Sequence, residues 1–285
     1  MDMMLVLGFL ALIYFVSLTL ICLYRDSINV KLFNTCFIIL DVIFYFIWNV
    51  GMYESGWLED GFATLENISP MIFTVIPLTV FMNEKTKQCA YSAIAFLWVG
   101  MFVAFFVSPE QAYIVGDHKD ATLVYTGEAL CHMLASLFGI YLILTKQVKP
   151  NFQSWRRSLL FMYSVILFGV FVNYVFHVDH FGMDPYGKYS IYFIDIFGTF
   201  EATFAAYLFG VLLVLTLGME LGYLLQRFVT AKRGEEYELQ PLDGADKTME
   251  PLVVDPTAEA ALEASASIEV PLDFTENRED ANDEK

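Results

Sequence analysis

Apolar runs of membrane-spanning length recur along this chain and leave it few ways to fold. Seven such stretches lie at about 3–24, 32–53, 67–83, 90–108, 122–145, 158–178 and 190–226, and a helix needs about 20 apolar residues to cross the hydrocarbon core. Soluble domains are typically about a quarter charged, whereas this chain is 57% hydrophobic and 17% charged. The expected fold is an all-α integral membrane protein, a bundle of seven transmembrane helices. The third stretch is the weakest, being short and holding Pro70 and Pro77. A kinked or re-entrant segment is the alternative there, because irregular backbone at membrane depth has to be buried in protein.

Charge sets the orientation. Arg25 and Lys31 follow the first stretch, Lys85 and Lys87 the third, Lys146, Lys149, Arg156 and Arg157 the fifth, and Arg227, Lys232 and Arg233 the seventh. The alternate loops hold only Lys119 and Lys188. Cytoplasmic loops are the ones enriched in Lys and Arg, so the N-terminus is expected outside and the C-terminus in the cytoplasm. No basic residue precedes the first stretch and Arg25 follows it, the reverse of a secretory signal peptide, so it reads as a retained anchor. The expected location is multi-pass in the plasma membrane.

Most of the net charge of −17 belongs to one end of the chain: residues 234–285 carry 16 acidic and 3 basic side chains. With little to bury, this segment is expected to be a disordered acidic cytoplasmic tail behind a membrane domain at 1–233. A cytoplasmic protein is one partner such a tail can recruit; an anionic leaflet would repel it. A basic nucleic-acid-binding surface is excluded by the charge balance, and membrane lipids are the partners expected of the rest. The four cysteines lie in or beside apolar stretches without C-x-x-C spacing, so no disulfide framework follows. Two His and two Asp between His177 and Asp184 lack a metal motif's spacing, and no metal or cofactor is expected.

Ionisable groups within apolar helices are costly and are default candidates for function. Asp41 lies near the middle of the second stretch, where a structural hydrogen bond to Tyr45, one turn on, or to a facing helix is the alternative to a functional role. Glu128 and His132 stand four residues apart in the fifth, on one helical face. Asn173 and Tyr174 lie in the sixth, and Asp195 and Glu201 in the seventh. The predicted threading puts Glu128, His132, Asn173, Asp195 and Glu201 in the outward half, pointing to one outward-opening polar pocket. The structural alternative is that Glu128 and His132 only satisfy each other and a neighbouring helix. In a catalytic version, His132 is a general base, Glu128 its orienting carboxylate and Ser69 or Ser136 the nucleophile.

Four segments carry a resemblance: Ile68-Ser-Pro-Met-Ile-Phe-Thr-Val-Ile-Pro77 in the third stretch, Phe-Phe-Val-Ser108-Pro109 closing the fourth, Leu130-Cys-His132 through Thr145 in the fifth, and Val172-Asn173-Tyr174 in the sixth. Over about residues 60–180 the succession resembles the YwaF-type family of polytopic membrane proteins, related to a eukaryotic branch similar to lysophospholipid acyltransferases. The resemblance implies that His132, Asn173 and Tyr174 line a polar core. Where the family pattern leads one to expect a His-x-Cys-like pair in the third helix, this chain has Asn67 and Ser69, which argues against acyl transfer through a cysteine thioester. The leading functional expectation is binding or processing of a lipid or small amphiphile, with acyl transfer as one version. A proton-coupled transporter using Asp41, Glu128 and Glu201, and a receptor signalling through the acidic tail, are the alternatives.

Overall fold

The chain divides into two units, Met1–Leu242 and Asp243–Lys285. The computed structural model describes residues 3–54, 68–115, 122–176 and 196–231, all within the first. The described residues are helical, without strands: α1 (Met3–Tyr24), α2 (Val30–Glu54), α3 (Ile68–Leu78), α4 (Glu84–Val115), α5 (Thr122–Leu144), α6 (Phe152–Phe176) and α7 (Phe200–Ala231). All but α3 are long and apolar enough to cross a membrane, which marks a multi-pass membrane protein. The 11 residues of α3 extend about 16 Å at 1.5 Å each, about half of a 30 Å hydrocarbon layer. The predicted acidic tail and Asp195 lie outside the described residues.

Helix starts are set by short polar side chains that accept hydrogen bonds from first-turn amides left without partners by the helix itself. Asn29 Oδ1 accepts from Leu32 N–H at 3.2 Å, Asn83 Oδ1 from Thr86 N–H at 3.0 Å, and Asn151 Oδ1 from Ser154 N–H at 2.9 Å. Thr199 Oγ1 does the same for α7, accepting from Ala202 N–H at 3.2 Å. At the end of α5, Lys146 takes a left-handed conformation, φ 61°, and stops the helix before α6 begins.

Helix α5 is central, packing against α1, α2, α3, α4 and α7. Its membrane-length window is 89% buried, against 11% for α2. Two close approaches fix the pairing of these two helices. A Cβ on Gly51 would lie 2.7 Å from Val124 N, and one on Gly127 would lie 2.7 Å from Trp48 Cα. At their other ends Phe37 meets Phe138 and Tyr141, with centroids 5.0 and 5.2 Å apart, so α2 and α5 are antiparallel. Helix α4 returns along α5, with the Tyr91 ring on Phe138 at 5.9 Å and Ser136 Oγ donating to Trp98 O. Helix α7 runs against α4, Gly100 beside Val214 and Gly218 on the Phe96 main chain. Helix α6 runs against α7, Trp155 reaching Thr216 and Tyr163 reaching Leu208.

These pairings bring the ends of α1, α3, α5 and α7 to the same end of the bundle as the starts of α2, α4 and α6. There Asn34 Nδ2 donates to Gln147 Oε1 at 2.9 Å and to Tyr91 Oη at 3.4 Å, and Thr79, just past α3, meets the same tyrosine hydroxyl. Helix α3 reaches that end from the level of Tyr45, whose hydroxyl accepts a hydrogen bond from Thr74 Oγ1 at 3.4 Å. All nine Lys and Arg of the described residues, at 25, 31, 85, 87, 146, 149, 156, 157 and 227, belong to helix termini or turns at this end.

Candidate functional site

The polar core forms where α2, α3 and α5 meet. Asp41 sits halfway along α2 on the face that carries Phe37, Tyr45 and Trp48, a spacing of three to four residues that keeps them in one stripe. It is 0% exposed, and neither carboxylate oxygen has a hydrogen-bond partner among the described residues. The sequence offers Tyr45 as that partner, but the tyrosine hydroxyl engages Thr74 of α3 instead. Trp48, two turns from Asp41, is also buried, with its indole N–H unpartnered. Buried polar groups are hydrogen-bonded in the great majority of cases, so two exceptions on one helical stripe are a feature to explain.

From α5, Cys131 comes near Asp41 of this stripe, and His132 turns to Phe73 of α3. Cys131 is buried within electrostatic reach of both Asp41 and Glu128. The His132 ring is buried and meets Phe73 of α3 edge-on, centroids 5.2 Å apart and planes at 87°. Phe73 packs in turn on Trp48 at 6.3 Å and Tyr45 at 6.2 Å. The imidazole Nδ1 lies 2.8 Å from the main-chain carbonyl oxygen of Glu128. Because a carbonyl only accepts, Nδ1 carries the proton and a neutral ring holds its lone pair on Nε2. The Glu128 side chain, one turn toward the start of α5, is half-buried.

The candidate nucleophiles divide. Ser136, one turn beyond His132, is buried and occupied: its Oγ donates to Trp98 O at 3.1 Å and lies 3.0 Å from Tyr14 Oη, so the tyrosine donates to the serine. It ties α1, α4 and α5 together. Ser69 is half-buried one turn before Phe73, and no hydrogen bond joins it to His132 among the described residues.

The remaining predicted residues belong to the other side of the bundle. Asn173 is buried on α6, which packs on α4 and α7. Tyr174 beside it is 81% exposed, and Glu201 in the first turn of α7 is exposed as well. The structure thus places Asp41 and Glu128 each within electrostatic reach of Cys131 and sets His132 against Phe73, and it leaves Asn173, Tyr174 and Glu201 on α6 and α7. Sequence reasoning passed over Trp48 and Phe73. Trp48 was within reach, being seven residues from Asp41 and hence on its stripe; Phe73 is placed against His132 only by the packing of α3. No family model, curated protein or solved structure matches the chain.

Proposed function

We propose that the chain crosses the membrane seven times, with its N-terminus outside and its C-terminus in the cytoplasm, and binds a lipid or small amphiphile at the α2–α3–α5 core. The topology reading is supported by the nine basic residues gathered at one end, which the positive-inside rule makes cytoplasmic. Helix α3 supports it further. Thr79 meets Tyr91 at that basic end and Thr74 meets Tyr45 at mid-height, so α3 supplies the inner half of a crossing between the far end of α2 and the start of α4. The resemblance to YwaF-type membrane proteins accords with this reading.

One observation carries the functional reading: a carboxylate at mid-membrane, fully buried, with no hydrogen-bond partner. An intramembrane ionisable group is by default a candidate for function. His132 stands on the facing helix, and its Nε2 is the atom that serves as base if the bound molecule is also processed. In an acyl-transfer version Ser69 is the nucleophile and would have to approach that nitrogen.

The test is mass spectrometry of the protein in defined lipid discs, recording co-purified molecules and acyl exchange between an added phospholipid and lysophospholipid, with His132→Ala alongside. A retained amphiphile that is lost or weakened in the variant is the expected result. Wild-type protein that retains no amphiphile overturns the reading; exchange abolished by His132→Ala identifies a transferase. A proton-coupled carrier is the second reading. It is favoured by the Asn34–Gln147–Tyr91 hydrogen bonds that close the basic end beneath Asp41. It requires uptake that follows the proton gradient and is lost in Asp41→Asn.

A further inference from the structure

The missing counter-charge at Asp41 narrows the chemistry of what binds there. A carboxylate taken out of water needs a compensating charge or a proton and partners for its oxygens. Neither oxygen of Asp41 has a partner among the described residues. All nine Lys and Arg of the described residues sit at helix termini or turns at the basic end; Lys31, on the same helix, is ten residues away, about 15 Å along the axis. The one basic side chain on the facing helix, His132, directs Nδ1–H to its own helix's carbonyl, and no ion pair joins it to Asp41 among the described residues. Among the described residues, therefore, no cation is supplied at this depth, and Asp41 keeps a proton until one reaches it.

The surroundings suit an organic cation better than a metal ion. Among the described residues no group of three or more His, Cys, Asp or Glu could hold a metal. Aromatic rings are abundant instead: Tyr45, Trp48 and Phe73 are in mutual contact, with centroids 5.6–6.3 Å apart, and Phe37 lies one turn below Asp41 on the stripe. Ring faces attract ammonium groups, most strongly away from water. Helix α2 is also a thin wall. Ile39, Leu40, Val42 and Ile43, next to Asp41 in sequence, are exposed on the outside of the bundle, where membrane lipid would lie. A molecule held by its head at Asp41 can keep an alkyl tail against that surface.

We infer that Asp41, on the α2 stripe that also carries Tyr45 and Trp48 and meets Phe73 of α3 through them, is the receptor site for the ammonium head of an alkylamine-type amphiphile. The inference rests on the amphiphile reading above and adds the charge of the ligand to it.

The test compares dodecylamine with dodecanol, two probes of equal chain length, by saturable binding to the full-length protein in lipid discs. Wild-type protein is expected to bind dodecylamine at least about tenfold more tightly than dodecanol, a difference of about 1.4 kcal/mol. Asp41→Asn should erase that preference. Equal binding of both probes to wild-type protein overturns the ammonium site and leaves the amphiphile reading standing. Saturable binding of neither removes the amphiphile reading itself. A preference that survives in Asp41→Asn places the cation elsewhere and overturns the assignment. Displacement of dodecylamine by sodium chloride but not by choline chloride at the same ionic strength makes the site one for a metal ion and overturns it too. If the variant fails to fold, equal binding of both probes to the wild-type protein still overturns the site.

Discussion

The two sides of α4 handle buried polarity in opposite ways. Toward α6 and α7, polar side chains are matched: Trp98 Nε1–H donates to Gly218 O at 3.1 Å, Trp155 Nε1–H to Thr216 Oγ1 at 3.1 Å, and Tyr163 Oη–H to Leu208 O at 3.2 Å. Toward α2 and α3, Asp41 and the Trp48 indole are buried with no such match. Polar pairs between membrane helices serve as glue because the alternative is an unsatisfied group in hydrocarbon. The α6–α7 side is therefore tied by matched polar contacts, whereas the α2–α3–α5 side buries Asp41 and the Trp48 indole without one among the described residues.

The sharpest way to probe the packing side is Gly218→Leu. A Cβ at Gly218 would overlap the main-chain oxygen of Phe96, and backbone cannot yield as a side-chain tip can. We expect a loss of about 3 kcal/mol, in the upper range for overpacking, read as a lowered midpoint of thermal unfolding in detergent. A variant that melts with the wild type would mean that α4 and α7 do not pack as described.

Asp41→Asn tests the other side and should act in the opposite direction. Removing an uncompensated buried carboxylate while keeping its shape is expected to leave stability unchanged or raise it by about 1–2 kcal/mol. A drop comparable to that of a packing variant would show that the carboxylate has a structural partner, and the contrast between the two sides would collapse. The smallest effect is expected at Ser136→Ala, which removes the link from Tyr14 to Trp98 O across α5. Single polar contacts in membrane bundles are typically worth about 0.6 kcal/mol, so a loss near that value, with ligand binding retained, would assign Ser136 to scaffolding. Loss of binding with unchanged stability would instead move it to the α2–α3–α5 site.

Much of the architecture is legible in the sequence. Hydrocarbon thickness sets a length that apolar runs must match, and six of the seven expected runs appear as helices able to span. The third run was flagged by Pro70 and Pro77, and its helix is the short one, with Pro77 one residue before its end. Proline lacks an amide donor and limits how far a helix continues. The site was legible only in pieces. Asp41, Glu128 and His132 stand out as ionisable groups in apolar surroundings, and helical periodicity puts the last two on one face. Which residue of α5 comes near Asp41 could not be read, because nothing in periodicity says which helix faces which.

The sequence by itself determined that this chain is a helical membrane protein, which residues lie at depth, and which helix termini carry positive charge, because these follow from local hydrophobicity and chain direction. The tertiary structure alone decided the partners. It made α5 the central helix, turned Ser136 from candidate nucleophile to a link between α1 and α4, gave the His132 proton to Nδ1, and left Asp41 without the Tyr45 contact that spacing offered. The physical reason is range. Burial of an apolar run is a sum over its own residues, whereas the fate of a buried polar group depends on one or two atoms from distant parts of the chain, brought within about 3 Å by packing.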